Sequence, residues 1–137
     1  MSLVLDGSVT VSWYFEDERT EATESVLDFV VEHGAVAPPL WRLEVANALT
    51  TAMRRNRIDK AFRDASLTDL AALPVSIDGE AEAYVWSDTL RLADQYRLTV
   101  YDAVYLELAR RRALPLATLD KALRAAARAC SVELTIS

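Results

Sequence analysis

The sequence predicts an α/β fold in which a mostly parallel, five-stranded sheet is flanked by helices. Short apolar runs alternate along the chain with longer segments of helical period, which is the pattern of a parallel sheet covered on both faces. The chain has 137 residues, of which 52% are hydrophobic, and this is enough for one sizeable core. We therefore expect one domain that spans residues 1–137.

The individual elements follow from the apolar runs and from residues that begin or end helices. A helix is predicted from about Thr20 to His33, with Gly34 placed to end it. We expect the acidic stretch 16–18 at the start of this helix, where negative charge interacts favourably with the helix dipole. The predicted strands lie near Leu3–Leu5, Ala35–Ala37, Val75–Ile77, Leu116–Thr118 and Val132–Leu134. The other predicted helices cover about Leu40–Arg55, Lys60–Leu73, Ala81–Tyr96, Val100–Ala113 and Lys121–Cys130.

Composition excludes several classes of protein. Cys130 is the only cysteine and His33 the only histidine, so an internal disulfide and a Cys/His zinc site are excluded and a reducing cytoplasm is expected. An acidic residue at position 6 comes too early for a signal peptide, and no apolar run approaches the ~20 residues of a membrane span. The formal net charge of -6 argues against broad, non-specific binding of nucleic acid.

Two aspartates directly follow predicted strands. Asp6 follows the first apolar run, and Asp120 follows the fourth predicted strand and precedes a helix. Ligands of open α/β sheets bind beyond the carboxyl ends of the strands, so acids at these positions are candidates for a functional site. Each also has a structural interpretation, Asp6 as a turn or cap residue and Asp120 as a helix N-cap.

Glu44 stands out on a predicted helix that is otherwise largely apolar. It is the only charged residue from Leu43 to Met53, and it shares a narrow face with Asn47 and Thr51. That face is either the one wet side of a largely buried helix or the wall of a cleft.

Asp102 lies on the unexpected side of its predicted helix. It shares the apolar side with Tyr105, whereas the charged side is predicted to carry Glu107, Arg110 and Arg111. Thr99 offers a local explanation as the N-cap of a capping box with Asp102 at the third position. The capping box explains an acid in the first turn but not its side of the helix, where an unpaired carboxylate is costly.

Four carboxylates in one place require a cation, because they otherwise repel one another and raise at least one pKa. Ligands that are all oxygen select hard ions, which here means magnesium or manganese. Such ions activate water and stabilise the leaving oxygen of a phosphodiester. The four acids therefore indicate phosphodiester hydrolysis.

Four segments carry a more specific likeness. They are LVLDGS at 3–8, PLWRLEVANAL at 39–49, TVYDAVYLELA at 99–109 and ATLD at 117–120. In this order and spacing the chain resembles the PIN domains, and most closely the VapC-type toxins of bacterial and archaeal toxin-antitoxin pairs. The likeness runs from Asp6 to Asp120 and so covers nearly the whole chain.

The resemblance implies a metal-dependent endoribonuclease that acts on structured RNA such as transfer or ribosomal RNA. It also implies a homodimeric toxin and a small antitoxin protein that blocks the cleft. The metal-binding and catalytic acids that it implies are Asp6, Glu44, Asp102 and Asp120. The supporting polar residues are Ser8, Asn47 and Thr118.

RNA needs basic side chains along its path, and two sets are candidates. One set is Arg54, Arg55, Arg57, Lys60 and Arg63, and the other is Lys121, Arg124 and Arg128. Solvated helix faces explain both sets equally well. The tryptophans Trp13, Trp41 and Trp86 can stack on bases but are more often core or interface residues.

Two other interpretations remain open. One is a phosphoacceptor module like the receiver domains of response regulators, with Asp6 and Asp78 as its acids. That module needs a second acid beside Asp6 and a lysine after the final predicted strand, and the sequence has neither. The other is a non-catalytic binding protein with a PIN-like fold, which metal-dependent cleavage by the purified protein would exclude.

Overall fold

The computed structural model describes residues 1–136, and within them the centre is a parallel sheet of four strands. The strands are β1 (Val4–Leu5), β2 (Ala35–Ala37), β3 (Val75–Ile77) and β4 (Leu116–Ala117). They lie side by side in the order β3-β2-β1-β4, and each neighbouring pair is parallel. The predicted fold class, a parallel sheet flanked by helices, is confirmed.

The sheet has four strands and not the predicted five. The segment Val132–Leu134 forms only a single parallel bridge, from Leu134 to Leu116. Ser131, just before it, has a left-handed φ of 62°, and the first amide of the segment bonds the carbonyl of Ala127 in the preceding helix. Val132 therefore serves to end that helix, and the segment pairs with the sheet only through two hydrogen bonds around Leu116.

Helices cover the sheet within residues 1–136. They are α1 (Gly7–Ser12), α2 (Glu21–His33), α3 (Leu40–Arg54), α4 (Lys60–Ala71), α5 (Leu90–Tyr96), α6 (Val100–Arg112) and α7 (Lys121–Ala129). The predicted helix over residues 81–96 is irregular, with a 3₁₀ turn at Ala81–Tyr84 and a π turn at Val85–Thr89 before α5. Helix α1 was not predicted, because it has only six residues and its sequence GSVTVS is half β-branched.

Local sequence explains where the helices begin and end. Thr20 accepts a bond from the Thr23 amide at 3.1 Å, and the Thr23 hydroxyl accepts from the Thr20 amide at 2.9 Å, which makes a capping box. Three more N-cap side chains accept a backbone amide, namely Asp59 for α4, Thr99 for α6 and Asp120 for α7. Gly34 ends α2 at φ +82°, where a Cβ would lie 3.0 Å from the Pro74 carbonyl oxygen.

The acidic stretch 16–18 was expected at the start of α2, but it lies in a turn before that helix. Asp17 and Glu18 instead pair with Arg57 at 3.0 and 3.3 Å. The Arg57 guanidinium also lies 4.2 Å from the centre of the Phe15 ring. These charges are therefore balanced by an arginine from beyond α3.

The charged side predicted for α6 is only partly exposed. Glu107 is 4% exposed and pairs with Arg111 at 2.8 Å. Arg111 also pairs with the buried Asp78 at 2.7 Å and with Glu80 at 3.4 Å. We call these four residues the Arg111 cluster. This cluster connects the last turns of α6 to the segment that follows β3. Glu107 is therefore a buried residue that is paired with arginine, and not part of a solvated helix face.

The core lies on both faces of the sheet, and β1 is completely buried at its centre. Trp13 and Trp41 are buried core residues, whereas Trp86 is 91% exposed. Tyr105 of α6 is the largest of the fully buried side chains. In the part of the chain that the structure describes, no helix has both the length and the apolarity to cross a membrane.

Candidate active site

A cleft of about 430 Å³ opens at the carboxyl ends of β1 and β4. The chain builds β2 and β3 on one side of β1 and then crosses to place β4 on the other side. In open α/β sheets this reversal of strand order is where ligands bind. The cleft is lined by the four acids Asp6, Glu44, Asp102 and Asp120, together with Gly7, Ser8, Val11, Glu18, Ala48 and Leu119.

Asp6 is the residue after β1 and is 5% exposed. Its Oδ2 accepts hydrogen bonds from the Ser8 hydroxyl at 2.8 Å and from the Thr118 hydroxyl at 2.6 Å. Burial raises the pKa of Asp6, and these hydroxyl bonds offset part of the rise. The Asp6 side chain does not cap α1, so helix capping does not explain this carboxylate.

Ser8 and Thr118 join the first and last segments of the site. The Ser8 hydroxyl accepts a bond from the Leu119 amide at 3.0 Å, and the Thr118 hydroxyl accepts one from the Asp120 amide at 3.1 Å. Each hydroxyl therefore accepts a hydrogen bond from a backbone amide after β4 and donates one to Asp6. This places Asp6 and Asp120 at the same edge of the sheet.

Glu44 of α3 is half-buried, and its Oε1 accepts a hydrogen bond from the Tyr105 hydroxyl of α6 at 2.5 Å. Burial raises the pKa of Glu44, the bond from Tyr105 lowers it, and the charges of Asp6 and Asp102 raise it further. The polar face of α3 thus borders the cleft through Glu44.

Asp102 lies in the first turn of α6, and its amide donates to the Thr99 hydroxyl at 3.1 Å. Between these two described residues the reciprocal bond, from the Thr99 amide to the Asp102 carboxylate, is not formed. Burial raises the pKa of Asp102 to about 6, and the charges of Asp120 and Asp6 add to the rise. The capping box is therefore half made, and the carboxylate faces the other acids.

Asp120 has a structural role as well as a place in the cleft. Its Oδ2 accepts a hydrogen bond from the Leu123 amide at 2.8 Å, which makes it the N-cap of α7. One of the two carboxylate oxygens of Asp120 therefore serves as the helix cap that the sequence suggested.

The cleft fits a hard divalent cation by the chemistry of its donors. They are carboxylate and hydroxyl oxygens, and none of the lining residues within 1–136 is a lysine or an arginine. As the side chains stand, no three His, Cys, Asp or Glu residues of the described chain converge closely enough to hold a metal ion. Three of the acids each have an oxygen held by a neighbour, namely Asp6, Glu44 and Asp120. Binding therefore requires the acid side chains to move closer together within the cleft.

Glu18 is a fifth acid of the cleft that the sequence did not indicate. It lies in the turn before α2 and is paired with Arg57, so it is the one lining carboxylate with a basic partner among residues 1–136. Tyr105 was also missed as a site residue, although its place one turn after Asp102 was visible in the sequence. Nothing in the sequence pattern places Glu18 near the strand ends.

The remaining candidates lie at different distances from the cleft. Asn47 is exposed on α3, and Ala48 lines the cleft in its place. Arg124 is beside the site, because it donates to the Thr118 carbonyl at 3.0 Å. Three cations of the first basic set are already paired with acids, and these are Arg57, Lys60 and Arg63.

The model of the PIN domain family matches residues 3–129. The chain therefore belongs to the PIN-domain family. The chain is also similar to proteins from two species that are named Ribonuclease VapC3. The protein from Pyrobaculum aerophilum is 32% identical over 123 residues, which cover 90% of this chain and 92% of that protein. The protein from Mycobacterium tuberculosis is 33% identical over 126 residues, which cover 88% and 84%. Within the family, the chain groups with the VapC-type ribonucleases and is thus an endoribonuclease, a hydrolase.

The fold has a counterpart among crystal structures. The crystal structure of PAE2754 from Pyrobaculum aerophilum matches with a TM-score of 0.68 at 24% identity, covering 92% of this chain and 84% of that one. At this identity the likeness bears on the fold alone. The receiver-domain interpretation fails, because its second acid, Asp78, is buried against Arg111 and lies outside the cleft.

Proposed function

We propose that Asp6, Glu44, Asp102 and Asp120 bind magnesium or manganese and that RNA is cut in the cleft that they line. The observation that carries this proposal is that four carboxylates from four separate segments border one cleft without a lysine or arginine in its described lining. Burial and mutual repulsion raise the pKa of three of them, which is the condition that a bound cation relieves. We take residues 1–137 as one PIN-like nuclease domain.

The residues of the chain would each have a distinct task. When bound, a divalent ion supplies an activated water and stabilises charge on the phosphodiester. Asp6 is held by Ser8 and Thr118, so one of its oxygens is fixed while the carboxylate faces the cleft. Glu44 is held by Tyr105 in the same manner. Hydrogen bonds of this kind orient ligands and limit the rearrangement needed on binding.

We further propose that this ribonuclease is the toxin of a toxin-antitoxin pair acting in the cytoplasm on structured RNA, with a protein antitoxin that covers the cleft. The relatives named Ribonuclease VapC3 support this assignment. We also propose a homodimer. Large apolar side chains that remain exposed, among them Leu43 at 72%, Trp86 at 91% and Tyr101 at 63%, support contact with other protein.

Metal dependence is tested by incubating purified protein with structured RNA under four conditions: excess chelator, magnesium, manganese and zinc. We expect cleavage with magnesium and manganese, because the ligand set consists of hard oxygen donors and has no soft donor that favours zinc. With excess chelator we expect no cleavage. Cleavage that persists in excess chelator would contradict the metal mechanism.

The toxin assignment is tested in the native host. Expression of the chain without its antitoxin should arrest growth, and expression with the antitoxin should not. Harmless expression of active protein without the antitoxin would contradict the assignment, and a variant with Asp6→Asn provides the inactive control.

A further inference from the structure

We propose that Tyr105 is a positioning residue that fixes the orientation of Glu44 for metal binding. This inference rests on the proposed function, in which Glu44 is a metal ligand. The Tyr105 hydroxyl lies 2.5 Å from Glu44 Oε1, and its side chain is fully buried at 0% exposure. A buried phenol needs a hydrogen-bond partner, and this carboxylate provides it.

The position of Tyr105 links two of the helices that carry the acids. It lies three residues after Asp102 on α6, so both side chains leave the same side of that helix. Its bond to Glu44 reaches across to α3. A change in the orientation of Tyr105 therefore changes the relation between the Glu44 and Asp102 carboxylates.

The chemical type of the donor matters for a metal site. A phenol is a neutral donor at pH 7, so it orients Glu44 without adding charge to the cleft. A lysine or arginine at the same place would neutralise the carboxylate and compete with a metal ion. The Arg111 cluster shows that the chain uses arginine where it balances buried acids for structure.

Glu44 is also bounded on the side of α1. A Cβ at Gly7 would lie 3.6 Å from Glu44 Cβ and 3.7 Å from Oε1, which is ordinary contact. The oxygen that accepts from Tyr105 is thus enclosed between α6 and the start of α1. The second oxygen of Glu44 is the one left for a ligand in the cleft.

The test is manganese binding, measured by titration calorimetry without RNA on wild type, Tyr105→Phe, Glu44→Ala and the double variant. We expect Tyr105→Phe to bind manganese about 10- to 100-fold more weakly, as when other groups that orient metal ligands are lost. In the Glu44→Ala background, Tyr105→Phe should cause no further loss, because its effect acts through Glu44. Tyr84→Phe, which removes the hydroxyl of a tyrosine whose ring lies beside Arg111, should leave manganese affinity unchanged.

A second readout separates positioning from a general loss of structure. With RNA, Tyr105→Phe should lower kcat while KM for RNA stays unchanged. If Tyr105→Phe does not fold, replacement of Tyr105 by 4-fluorophenylalanine fills the space of the hydroxyl without donating a bond, and the same losses are expected. Equal manganese affinity in wild type and the folded variant, or an equal loss in the Glu44→Ala background, would overturn the inference. Absence of manganese binding by wild type would instead overturn the proposed metal site on which the inference rests.

Discussion

The two ends of α6 carry acids that the chain treats in opposite ways. Toward its end, Glu107 and Asp78 are buried and both pair with Arg111, whose guanidinium also lies 4.8 Å from the centre of the Tyr84 ring. At its start, Asp102 faces Asp6 and Asp120 in a cleft whose described lining contains no lysine or arginine. The same helix therefore holds one acid group with a built-in cation and one without.

This difference teaches what each group is for. Buried charges without partners are costly, and the Arg111 cluster avoids that cost within the fold. In the cleft, the four predicted acids have no such partner among residues 1–136, and burial and mutual repulsion raise the pKa of Asp102 to about 6. Local conflict of this kind is typical of functional sites, where a ligand completes the balance of charge. We interpret the Arg111 cluster as structural and, under the proposed function, the cleft as a site for an external cation.

The largest effect that we expect is on catalysis. Asp6→Asn keeps the shape of the side chain but removes its charge, and RNA cleavage should fall by several orders of magnitude because a metal ligand is lost. Asp88→Asn changes an exposed acid near the other end of α6 and should cleave at the wild-type rate. Near wild-type cleavage by Asp6→Asn, measured at saturating manganese, would contradict the claim that the cleft is the catalytic site.

The next effect is on stability at the Arg111 cluster. Arg111→Ala leaves Glu107 buried without its cation and leaves Asp78 with only Arg112, at 3.7 Å, so it should lower the free energy of unfolding by about 3 to 5 kcal/mol. Arg91→Ala, which breaks an exposed pair with Asp88, should cost less than about 1 kcal/mol. Urea unfolding measures both. A loss at Arg111 no larger than that at Arg91 would show that the cluster does not stabilise the fold.

A smaller effect is expected from pH in the metal-free protein. The pKa of Asp102 rises from 3.8 to about 6 on folding, so between these values the folded state holds a proton that the unfolded state has released. Its contribution therefore favours folding at about pH 4 and is lost as pH rises through 6. Because the side chain is half-exposed, we expect about 1 kcal/mol after screening by solvent. Asp102→Asn should remove this part of the pH dependence in chelator, and identical profiles for the two proteins would contradict the account.

The smallest effect is expected at Glu18, the cleft acid that already has a cation. Glu18→Gln breaks an exposed pair with Arg57 and should cost less than about 1 kcal/mol in thermal unfolding. Manganese affinity should stay close to that of wild type, as it should for Asp17→Asn, which removes the other acid paired with Arg57. Loss of manganese binding in Glu18→Gln alone would make Glu18 a ligand and blur the comparison.

The fold was predictable from the sequence where periodicity is strong. The alternation of strands and helices and the cap at Thr99 were predicted. Helix α1 was not, because it is short and its β-branched residues suggest a strand. The burial of Glu107 was also missed. A helical wheel shows that Glu107 and Arg111 share a face, but it does not show that the two side chains are buried together as an ion pair.

The candidate site was predictable as residues but not as geometry. Strand ends indicated Asp6 and Asp120, and the faces of two predicted helices indicated Glu44 and Asp102. The bonds from Thr118 to Asp6 and from Tyr105 to Glu44 depend on contacts between distant segments, which no local pattern encodes. Whether the four acids bind metal stays a prediction.

Thermal unfolding of wild type and Asp102→Ala, each with chelator and with manganese, tests the central claim that the cleft acids await an external cation. In chelator, Asp102→Ala should be as stable as wild type or more stable, because removing one carboxylate relieves repulsion among the others. The gain in stability on adding manganese should be smaller in the variant, since a ligand stabilises only as far as it binds the folded state. A variant that loses about 0.5 to 1 kcal/mol equally in both conditions, as for a lost helix cap, and still cleaves RNA would contradict the account.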